Sequence, residues 1–289
     1  MSFVSFNQTG SRIATDGPTE NDDVSNDLTI WSFPGGKLLK RLPGRPEAVS
    51  PRWHYYATQN GVRSMANGAL IVRATDYSVQ AFSADERFVV QSNEKVGTRI
   101  VNLHRPAAVR KLGRHQAFSL AVDATSSRIA AGYWNSVGLW DAKTGALKIV
   151  LHGVGRYVDG VSFSPAGSVL AVATDLGEVQ LWSLATNKRL RTISIGGGQV
   201  SIPAFSPDGR LLAVGVYGTG TVWLIEVRSG RIMDRQKVSD LGCGSAAFSP
   251  DGRYLITPST GGLITWPHDN GGKTRVFKVT KAVARSGVE

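Results

Sequence analysis

Histidine, cysteine and closely spaced carboxylates are the side chains of this sequence that could bind a metal or carry catalysis. The histidines and the single cysteine are widely separated, at His54, His104, His115, His152, His268 and Cys243. No two histidines are four residues apart and no His-x-Glu pair occurs, so the usual spacing of metal ligands is missing. Cys243 is interpreted as a small buried residue at the start of a strand. The sequence therefore predicts no metal, no cofactor and no catalytic residue.

An acidic segment, residues 16–27, suggests calcium binding because Asp22, Asp23 and Asp27 would offer oxygen ligands. The segment holds five acidic residues and no basic one. It lacks the ordered Asp-x-Asp-x-Asp-Gly pattern and a downstream bidentate Glu. A solvated, mobile loop is the favoured interpretation.

Two glycine-rich stretches, GVGRYVDG (153–160) and GGGQV (196–200), could in principle cradle a phosphate. A phosphate loop joins a strand to a helix, and neither stretch precedes a helical pattern. No Gly-x-Ser-x-Gly element is present either. Local motifs therefore give no support to an enzyme.

A repeated turn is the strongest pattern in the chain. FSPDGRLLAVG (205–215) and FSPDGRYLITP (248–258) each place a Pro-Asp-Gly turn between two apolar runs. Similar stretches follow seven apolar anchor residues, namely Phe6, Val49, Phe82, Val122, Phe163, Phe205 and Phe248. The later anchors are 40, 41, 42 and 43 residues apart. A period of about 40–45 residues is typical of four-stranded propeller blades.

The third strand of most units carries a tryptophan. These residues are Trp31, Trp140, Trp182, Trp223 and Trp266. A bulky aromatic residue at this position is predicted to fill the space between neighbouring blades.

The units resemble WD repeats, and the chain is similar to a seven-bladed WD-repeat β-propeller over nearly its whole length. Trp140-Asp141 is the one literal Trp-Asp pair, and the Gly-His element is echoed at His115 and His152. The resemblance implies an all-β, single-domain propeller of four-stranded antiparallel blades. It also implies a non-catalytic scaffold or adaptor that binds protein partners.

The expected propeller spans residues 1–281, and residues 282–289 form a C-terminal tail. Each blade is built from contiguous sequence, with SFVSF as the first strand and TRVFKVTKAV as the last. The predicted blades are approximately 2–43, 44–75, 76–113, 114–152, 153–196, 197–239 and 240–281.

The four strands of a blade are labelled a to d in chain order, from the axis of the ring outward. The loops that join strand d to strand a of the next blade, and those that join strand b to strand c, share one rim of a propeller. They are more varied here than the opposite turns, and loops on a rigid scaffold tend to carry function. Arginine and aromatic side chains often dominate binding energy. The candidate partner contacts are Arg114, His115, Trp134, Arg156, Tyr157 and Tyr217. Packing of Trp134 and Tyr157 against neighbouring loops is the alternative.

The chain has a net charge of +11, and many cations fall on predicted outermost strands. Such charges protect sheet edges from aggregation. They could instead bind nucleic acid or an anionic membrane surface. The residues proposed for that role are Lys188, Arg189, Arg191, Arg228, Arg231, Arg235 and Lys237.

A hydrolase or lactonase with a site at the channel mouth is the third interpretation, since such sites are assembled across blades. The N-terminus has no basic and apolar leader, and no apolar run approaches the ~20 residues of a spanning helix. A cytoplasmic protein is the expectation.

Overall fold

The chain folds into consecutive antiparallel β-sheets. The computed structural model describes residues 3–19, 22–74, 79–196, 198–238, 245–257 and 275–278, with the backbone alone for 17–19, 22–26 and 275–278. Within these ranges, six sheets have four strands and one has three. In each four-stranded sheet the strands pair in chain order, so each blade is built from contiguous sequence.

The described strands run through the sheets in chain order. Blades 1 to 3 contain β1 (Val4–Phe6), β2 (Arg12–Thr19), β3 (Asp22–Ser32), β4 (Leu38–Leu42), β5 (Ala48–Val49), β6 (Tyr55–Thr58), β7 (Gly61–Ser64), β8 (Leu70–Arg73), β9 (Val79–Phe82), β10 (Phe88–Asn93), β11 (Gly97–Asn102) and β12 (Val109–Gly113). Blades 4 to 6 contain β13 (Ser119–Val122), β14 (Arg128–Gly132), β15 (Ser136–Asp141), β16 (Leu147–His152), β17 (Val158–Phe163), β18 (Val169–Thr174), β19 (Glu178–Ser183), β20 (Lys188–Ser194), β21 (Ala204–Phe205), β22 (Leu211–Val216), β23 (Thr221–Glu226) and β24 (Ile232–Lys237). The three-stranded sheet contains β25 (Ala247–Phe248), β26 (Tyr254–Thr257) and β27 (Arg275–Lys278).

The repeated a–b turn is held by one side chain that follows each anchor residue. In the SPDG copies, Ser206 Oγ accepts the N–H of Leu211 at 2.9 Å and Ser249 Oγ accepts the N–H of Tyr254 at 2.9 Å. The same bond to the residue five positions on is made in the other units by Asn7, Ser50, Ser83, Asp123 and Ser164. A short polar side chain is needed there because it satisfies a backbone donor that the turn leaves unpaired.

The C-terminal sheet differs from the prediction. Six complete blades are present, rather than seven, and the last sheet has three strands within the described residues. The segment TRVFKVTKAV was expected to be a fourth strand, but its residues 275–278 pair directly with β26 and so occupy the third position. Trp266 and the predicted tail lie outside the described residues.

This C-terminal sheet lies against blade 1. Ile256 of β26 is buried with Val4 and Ile13 of blade 1. Phe33 contributes an edge-on contact to Tyr254, with ring centroids 5.3 Å apart. The first and last sheets of the described chain are therefore neighbours.

Tryptophans of the third strands fill the spaces between sheets, as predicted. Trp140 packs in the core between blades 3 and 4, and Trp182 packs in the core between blades 4 and 5. Trp31 lies between blade 1 and the C-terminal sheet, and Trp223 lies between blades 5 and 6. Trp223 stands two residues earlier in its strand than the other three, so its position opposite the outer strand is different.

The acidic segment of blade 1 is a long hairpin, not the loop expected from its composition. β2 and β3 pair as far as Thr19 and Asp22, because the strand register continues outward from the core. Asp16 binds Arg45, with a 3.0 Å Nε–Oδ2 distance, and Asp27 Oδ1 accepts the N–H of Gly44 at 3.1 Å. These two carboxylates tie the hairpin to the connection that enters blade 2. The side chains of Asp22 and Asp23 lie outside the described part.

The described residues contain no helix that is long and apolar enough to cross a membrane.

Candidate partner-binding site on the rim

An aromatic cluster stands on the rim where the loops of blade 4 meet those of blade 5. Trp134 belongs to the β14–β15 connection, and Tyr157 belongs to the connection from β16 to β17. Their ring centroids are 4.1 Å apart. Phe118, which precedes β13, meets Tyr157 edge-on at 5.1 Å. Three separate segments thus place their rings together.

Arg156 completes this group, which we call the rim cluster (Phe118, Trp134, Arg156 and Tyr157). Its guanidinium carbon lies 5.8 Å from the centroid of the Trp134 ring, within the range of a cation–π contact. The Nε atom is 3.8 Å from Asp175 Oδ2, a loose ion pair at an exposed side chain. Asp175 Oδ1 also accepts the N–H of Tyr157 at 2.9 Å, which fixes the loop that carries both residues.

The rim cluster remains open to solvent despite its internal contacts. Trp134 is 49% exposed and Phe118 is 38% exposed. Packing of Trp134 and Tyr157 against neighbouring loops, the alternative raised by the sequence, is therefore real but incomplete. Because the Trp134 indole is already held in place, little side-chain entropy is lost when a partner covers it.

A cleft of about 550 Å³ adjoins the rim cluster between blades 3 and 4. We call it the blade 4 cleft. Leu112 and His115 line it from the blade 3 side, and Trp140, Leu147 and Val150 line it from blade 4. Phe118 and Trp134 stand at its rim end, so the cleft and the cluster form one continuous surface. Its lining, as far as the structure describes it, contains no Asp or Glu.

Two glycines let Trp140 form the floor of this cleft. A Cβ atom at Gly138 would lie 2.3 Å from Cη2 of the Trp140 indole, so the ring lies flat across its own strand only because that position is glycine. From the other wall, a Cβ atom at Gly113 would lie 3.5 Å from the Tyr133 hydroxyl and 3.9 Å from the indole. The space above the indole is consequently left empty.

The structure brings together most of the predicted contact residues, but not all. His115 lines the blade 4 cleft, and the exposed Arg114 stands between it and Gly113. Tyr217 lies on blade 6, between β22 and β23, where its backbone N–H donates to the carbonyl of Gln199 at 2.9 Å. It does not line the cleft.

Sequence reasoning missed Phe118, Leu147 and Val150. Leu147 pairs with Trp140 across β15 and β16, on a face set by a bulge between Leu139 and Trp140. In blade 5, the residue that pairs with Trp182 is Arg189. A comparison of the outer strands between repeats would have shown that blade 4 has a leucine where blade 5 has an arginine.

Several of the basic residues on the outer strands are engaged within the protein. Arg189 stacks over Trp182 at 5.9 Å and Arg235 stacks over Trp223 at 5.7 Å. Arg191 donates from Nε to the Arg228 carbonyl of the next blade at 3.1 Å. All the residues proposed for polyanion binding, Lys188, Arg189, Arg191, Arg228, Arg231, Arg235 and Lys237, are exposed.

Cations of the outer strands also connect neighbouring blades elsewhere. Lys40 Nζ of blade 1 donates to the carbonyls of Met65 and Ala66 in blade 2, at 3.1 and 2.5 Å. Arg110 of blade 3 donates to the carbonyls of Ala142 and Lys143 in blade 4. Arg191 makes a contact of the same kind. In all three cases, a cation on the outer strand of one blade donates to carbonyls in the c–d turn of the next blade. Part of the basic circumference is therefore structural.

Carboxylates with altered acidity lie on the inner side of the rim. Burial among surrounding protein raises the pKa of Glu47 to about 7, although a hydrogen bond from Gln80 and the charge of Arg45 act in the opposite direction. Protein surrounds this carboxyl group and removes much of its hydration, although the residue keeps contact with solvent next to β5. Desolvation likewise raises the pKa of Asp159, near the N–H of Val200.

No group of three or more His, Cys, Asp or Glu side chains that could hold a metal occurs in the described part of the chain. His54 is engaged by Glu86, at 2.6 Å from Nδ1 to Oε2. His104 and His152 are exposed on separate blades. His268 and Cys243 lie outside the described ranges.

Parts of the chain are similar in sequence to known proteins. No protein-family model matches the chain. A stretch of 170 residues is 29% identical to Periodic tryptophan protein 2 of Arabidopsis thaliana, covering 52% of this chain and 19% of that protein. A stretch of 120 residues is 32% identical to the Periodic tryptophan protein 2 homolog of Schizosaccharomyces pombe, covering 40% and 14%. The chain spans less than a fifth of the length of these curated relatives.

Among solved structures, the Cps50 (Swd1) β-propeller domain of Myceliophteria thermophila superimposes with a TM-score of 0.76. The match covers 96% of each chain at 14% sequence identity. At this identity, the match shows a shared fold and nothing more. Contiguous four-stranded blades and the repeated a–b turn lead to the same conclusion. The protein is a β-propeller of four-stranded antiparallel blades.

Proposed function

We propose that this chain is a non-catalytic scaffold or adaptor module that binds a protein partner through the rim cluster. The half-exposed Trp134, in contact with Tyr157 and Arg156, is the observation that carries the proposal. Tryptophan, tyrosine and arginine are the residues that most often dominate interface energy. The WD-repeat-like fold and the curated relatives support a role in protein interaction.

The arrangement of the rim cluster favours binding over a merely structural role. Its rings come from three connections on neighbouring parts of the rim, and each connection is anchored by strands on both sides. Such a surface is formed before the partner arrives, so little ordering is needed on binding. Arg156 adds a cation that is only loosely paired with Asp175.

Photo-cross-linking tests this proposal directly. Benzoylphenylalanine replaces Trp134 in one protein and Leu190, which is 53% exposed on the outer strand of blade 5, in the control. Each protein is irradiated in extract of the source organism, and the adducts are identified by mass spectrometry. We expect discrete adducts from position 134 that are absent from position 190 and are lost when Tyr157→Ala is added. Identical adducts from both positions would contradict the proposal.

We also infer that β25, β26 and β27 are the inner part of a seventh blade that closes the ring. The packing of Ile256 on Val4 and Ile13 supports this arrangement. So does the approach of the two a–b turns, where a Cβ atom at Gly10 would lie 3.3 Å from Cδ of Pro250. A double-mutant cycle on Val4→Ala and Ile256→Ala tests it by chemical denaturation. Coupling of about 0.5 kcal/mol or more is expected, and strictly additive losses would contradict it.

A further inference from the structure

The groove beside Trp140 is open, whereas the equivalent groove beside Trp182 is closed. Trp140 and Trp182 occupy the same position in their strands, each one residue before the strand ends and just after a bulge. In blade 5, Arg189 stacks over the Trp182 indole and donates from Nη1 to the carbonyl of Gly153 at 3.3 Å, which reaches across to blade 4. This guanidinium therefore covers the groove between the two blades.

Leu147 takes the place of that arginine in blade 4. It pairs with Trp140 as Arg189 pairs with Trp182, but it is 51% exposed and provides no bridge to blade 3. Val150 of the same strand is also exposed. The result is an apolar wall that solvent reaches, next to the exposed rings of Phe118 and Trp134.

Trp140 lines this cleft, and its indole N–H differs from the equivalent N–H groups of other blades. In blade 5, the equivalent N–H of Trp182 donates to Gln180 Oε1 at 3.1 Å, and in blade 1 the N–H of Trp31 donates to Thr29 Oγ1 at 3.1 Å. The residue two positions before Trp140 is Gly138, which has no side chain to accept. The described side-chain hydrogen bonds include those of Trp31 and Trp182 but none from Trp140 Nε1, and this atom is not among the fully buried unpaired ones.

Two arginines stand next to the blade 4 cleft. Arg114 follows Gly113 of its blade 3 wall, and Arg156 lies over Trp134 at its rim end, where Asp175 pairs with it loosely at 3.8 Å. These three groups carry a net positive charge, and the described lining itself contains no charged side chain. Complementary potential selects partners and excludes those of like charge. An acidic occupant is therefore favoured.

We propose that the blade 4 cleft takes an apolar side chain, aromatic for preference, from an acidic segment of the protein partner. The side chain lies on Trp140 between Leu147 and Leu112, and the Trp140 N–H donates to a carbonyl or carboxylate oxygen of the segment. Flanking acidic residues face Arg114 and Arg156. The volume of about 550 Å³ is in the range of pockets that enclose small ligands, about 300–1,000 Å³. This inference rests on the proposed function and names the partner's chemistry.

Fluorescence anisotropy with a synthetic probe tests this inference. The probe is a labelled peptide with one phenylalanine flanked on each side by two aspartates. One companion peptide has alanine for the phenylalanine, and the other has lysines for the aspartates. We expect the chain to bind the probe at least about tenfold more tightly than either companion, a difference of about 1.4 kcal/mol.

The substitution Leu147→Arg is designed to close the cleft as Arg189 closes the groove of blade 5. It adds a positive charge, which by itself would strengthen binding of an acidic peptide, so a loss of about tenfold or more must come from the closed cleft. Leu190→Arg is the matched control, since it adds the same charge at an exposed leucine on the outer strand of blade 5. Circular dichroism and melting temperature verify the fold of both variants. Gly113→Val, which enters the cleft from the opposite wall, takes its place if Leu147→Arg does not fold.

Equal binding of the three peptides, no binding to the wild-type chain, or unchanged binding by the closed-cleft variant would each overturn the inference. The proposed function has a separate readout, because photo-cross-links from position 134 do not depend on an empty cleft. Adducts that persist unchanged in Leu147→Arg would leave the partner-binding role standing and remove the acidic segment from the cleft.

Discussion

Glu86 accepts hydrogen bonds from blade 2 although it belongs to the a–b turn of blade 3. Its Oε2 atom lies 2.6 Å from His54 Nδ1, and its Oε1 atom accepts the backbone N–H of Arg52 at 2.7 Å. Glu86 is buried, whereas the His54 side chain is 68% exposed. A single carboxylate thus joins neighbouring blades on the rim opposite the candidate site.

Replacement of this carboxylate should destabilise the fold more than removal of the histidine. Glu86→Ala leaves the Arg52 N–H without its acceptor, a loss of about 1–3 kcal/mol in the free energy of unfolding. His54→Ala should cost less than about 1 kcal/mol, because the imidazole is exposed to water. Urea denaturation measures both, with the exposed Glu94→Ala as control. An equal loss for His54→Ala and Glu86→Ala would contradict this account.

Asp123 should make stability depend on pH in the acid range. Burial by itself raises its pKa, but hydrogen bonds from the backbone and side chain of Arg128, with those from Thr125 and Ser127, outweigh burial and lower the pKa below the ordinary 3.8. A carboxylate with a lowered pKa stabilises the folded state above its unfolded pKa, and this contribution is lost as pH falls through the folded value.

Asp123→Asn is therefore expected to lower the free energy of unfolding at pH 7 by about 1–3 kcal/mol. The difference from the wild-type protein should shrink as pH falls below 3.8, when the wild-type side chain becomes protonated. Guanidinium denaturation across a pH series measures it. A difference that stays constant down to acid pH would show that the charge of Asp123 is not the cause.

The fold was predictable because its strongest signal is local. The polar residue after each anchor bonds to an N–H five positions away, so the turn is determined within a few residues of sequence. The repeat of that turn then implies a blade plan. The position of residues 275–278 within the C-terminal sheet was less predictable. These residues pair with β26, which lies about twenty residues earlier in the sequence. The acidic segment was interpreted from composition, but strand register decided its structure.

The candidate site was predictable only in part. Trp134, Arg156 and Tyr157 could be chosen because they are large side chains on loops of one rim. Their meeting with Phe118 depends on the packing of three connections, which the sequence does not contain. The blade 4 cleft results from a leucine in one repeat at the place of an arginine in the next, and a bulge sets that pairing.

Glu47 should titrate near neutral pH at the inner side of the rim. Desolvation raises its pKa to about 7 from 4.5, against the hydrogen bond from Gln80 and the charge of Arg45. A carboxyl group with a raised pKa binds protons more strongly in the folded state, so its contribution is complete below about 4.5 and is lost as pH rises to about 7.

Glu47→Gln should accordingly flatten the pH dependence of stability between about 4.5 and 7. The variant should gain stability relative to the wild-type chain as pH rises through this interval. Thermal unfolding in a pH series measures the effect, and carbon-13 NMR of a glutamate-labelled sample reads the titration itself. A Glu47 signal that titrates at the ordinary value would refute the prediction.

Gly138 should be the most sensitive small residue of the blade 4 cleft. Gly138→Ala places a Cβ atom 2.3 Å from the Trp140 indole, and the ring cannot remain where it lies. Overpacking of this kind costs about 1–3 kcal/mol, and the displaced indole would also enter the cleft. Gly113→Ala is the matched control from the facing wall, because its new methyl group meets nothing closer than 3.5 Å. Denaturation followed by tryptophan fluorescence compares the two, and equal losses would mean that the flat indole is not what requires glycine at 138.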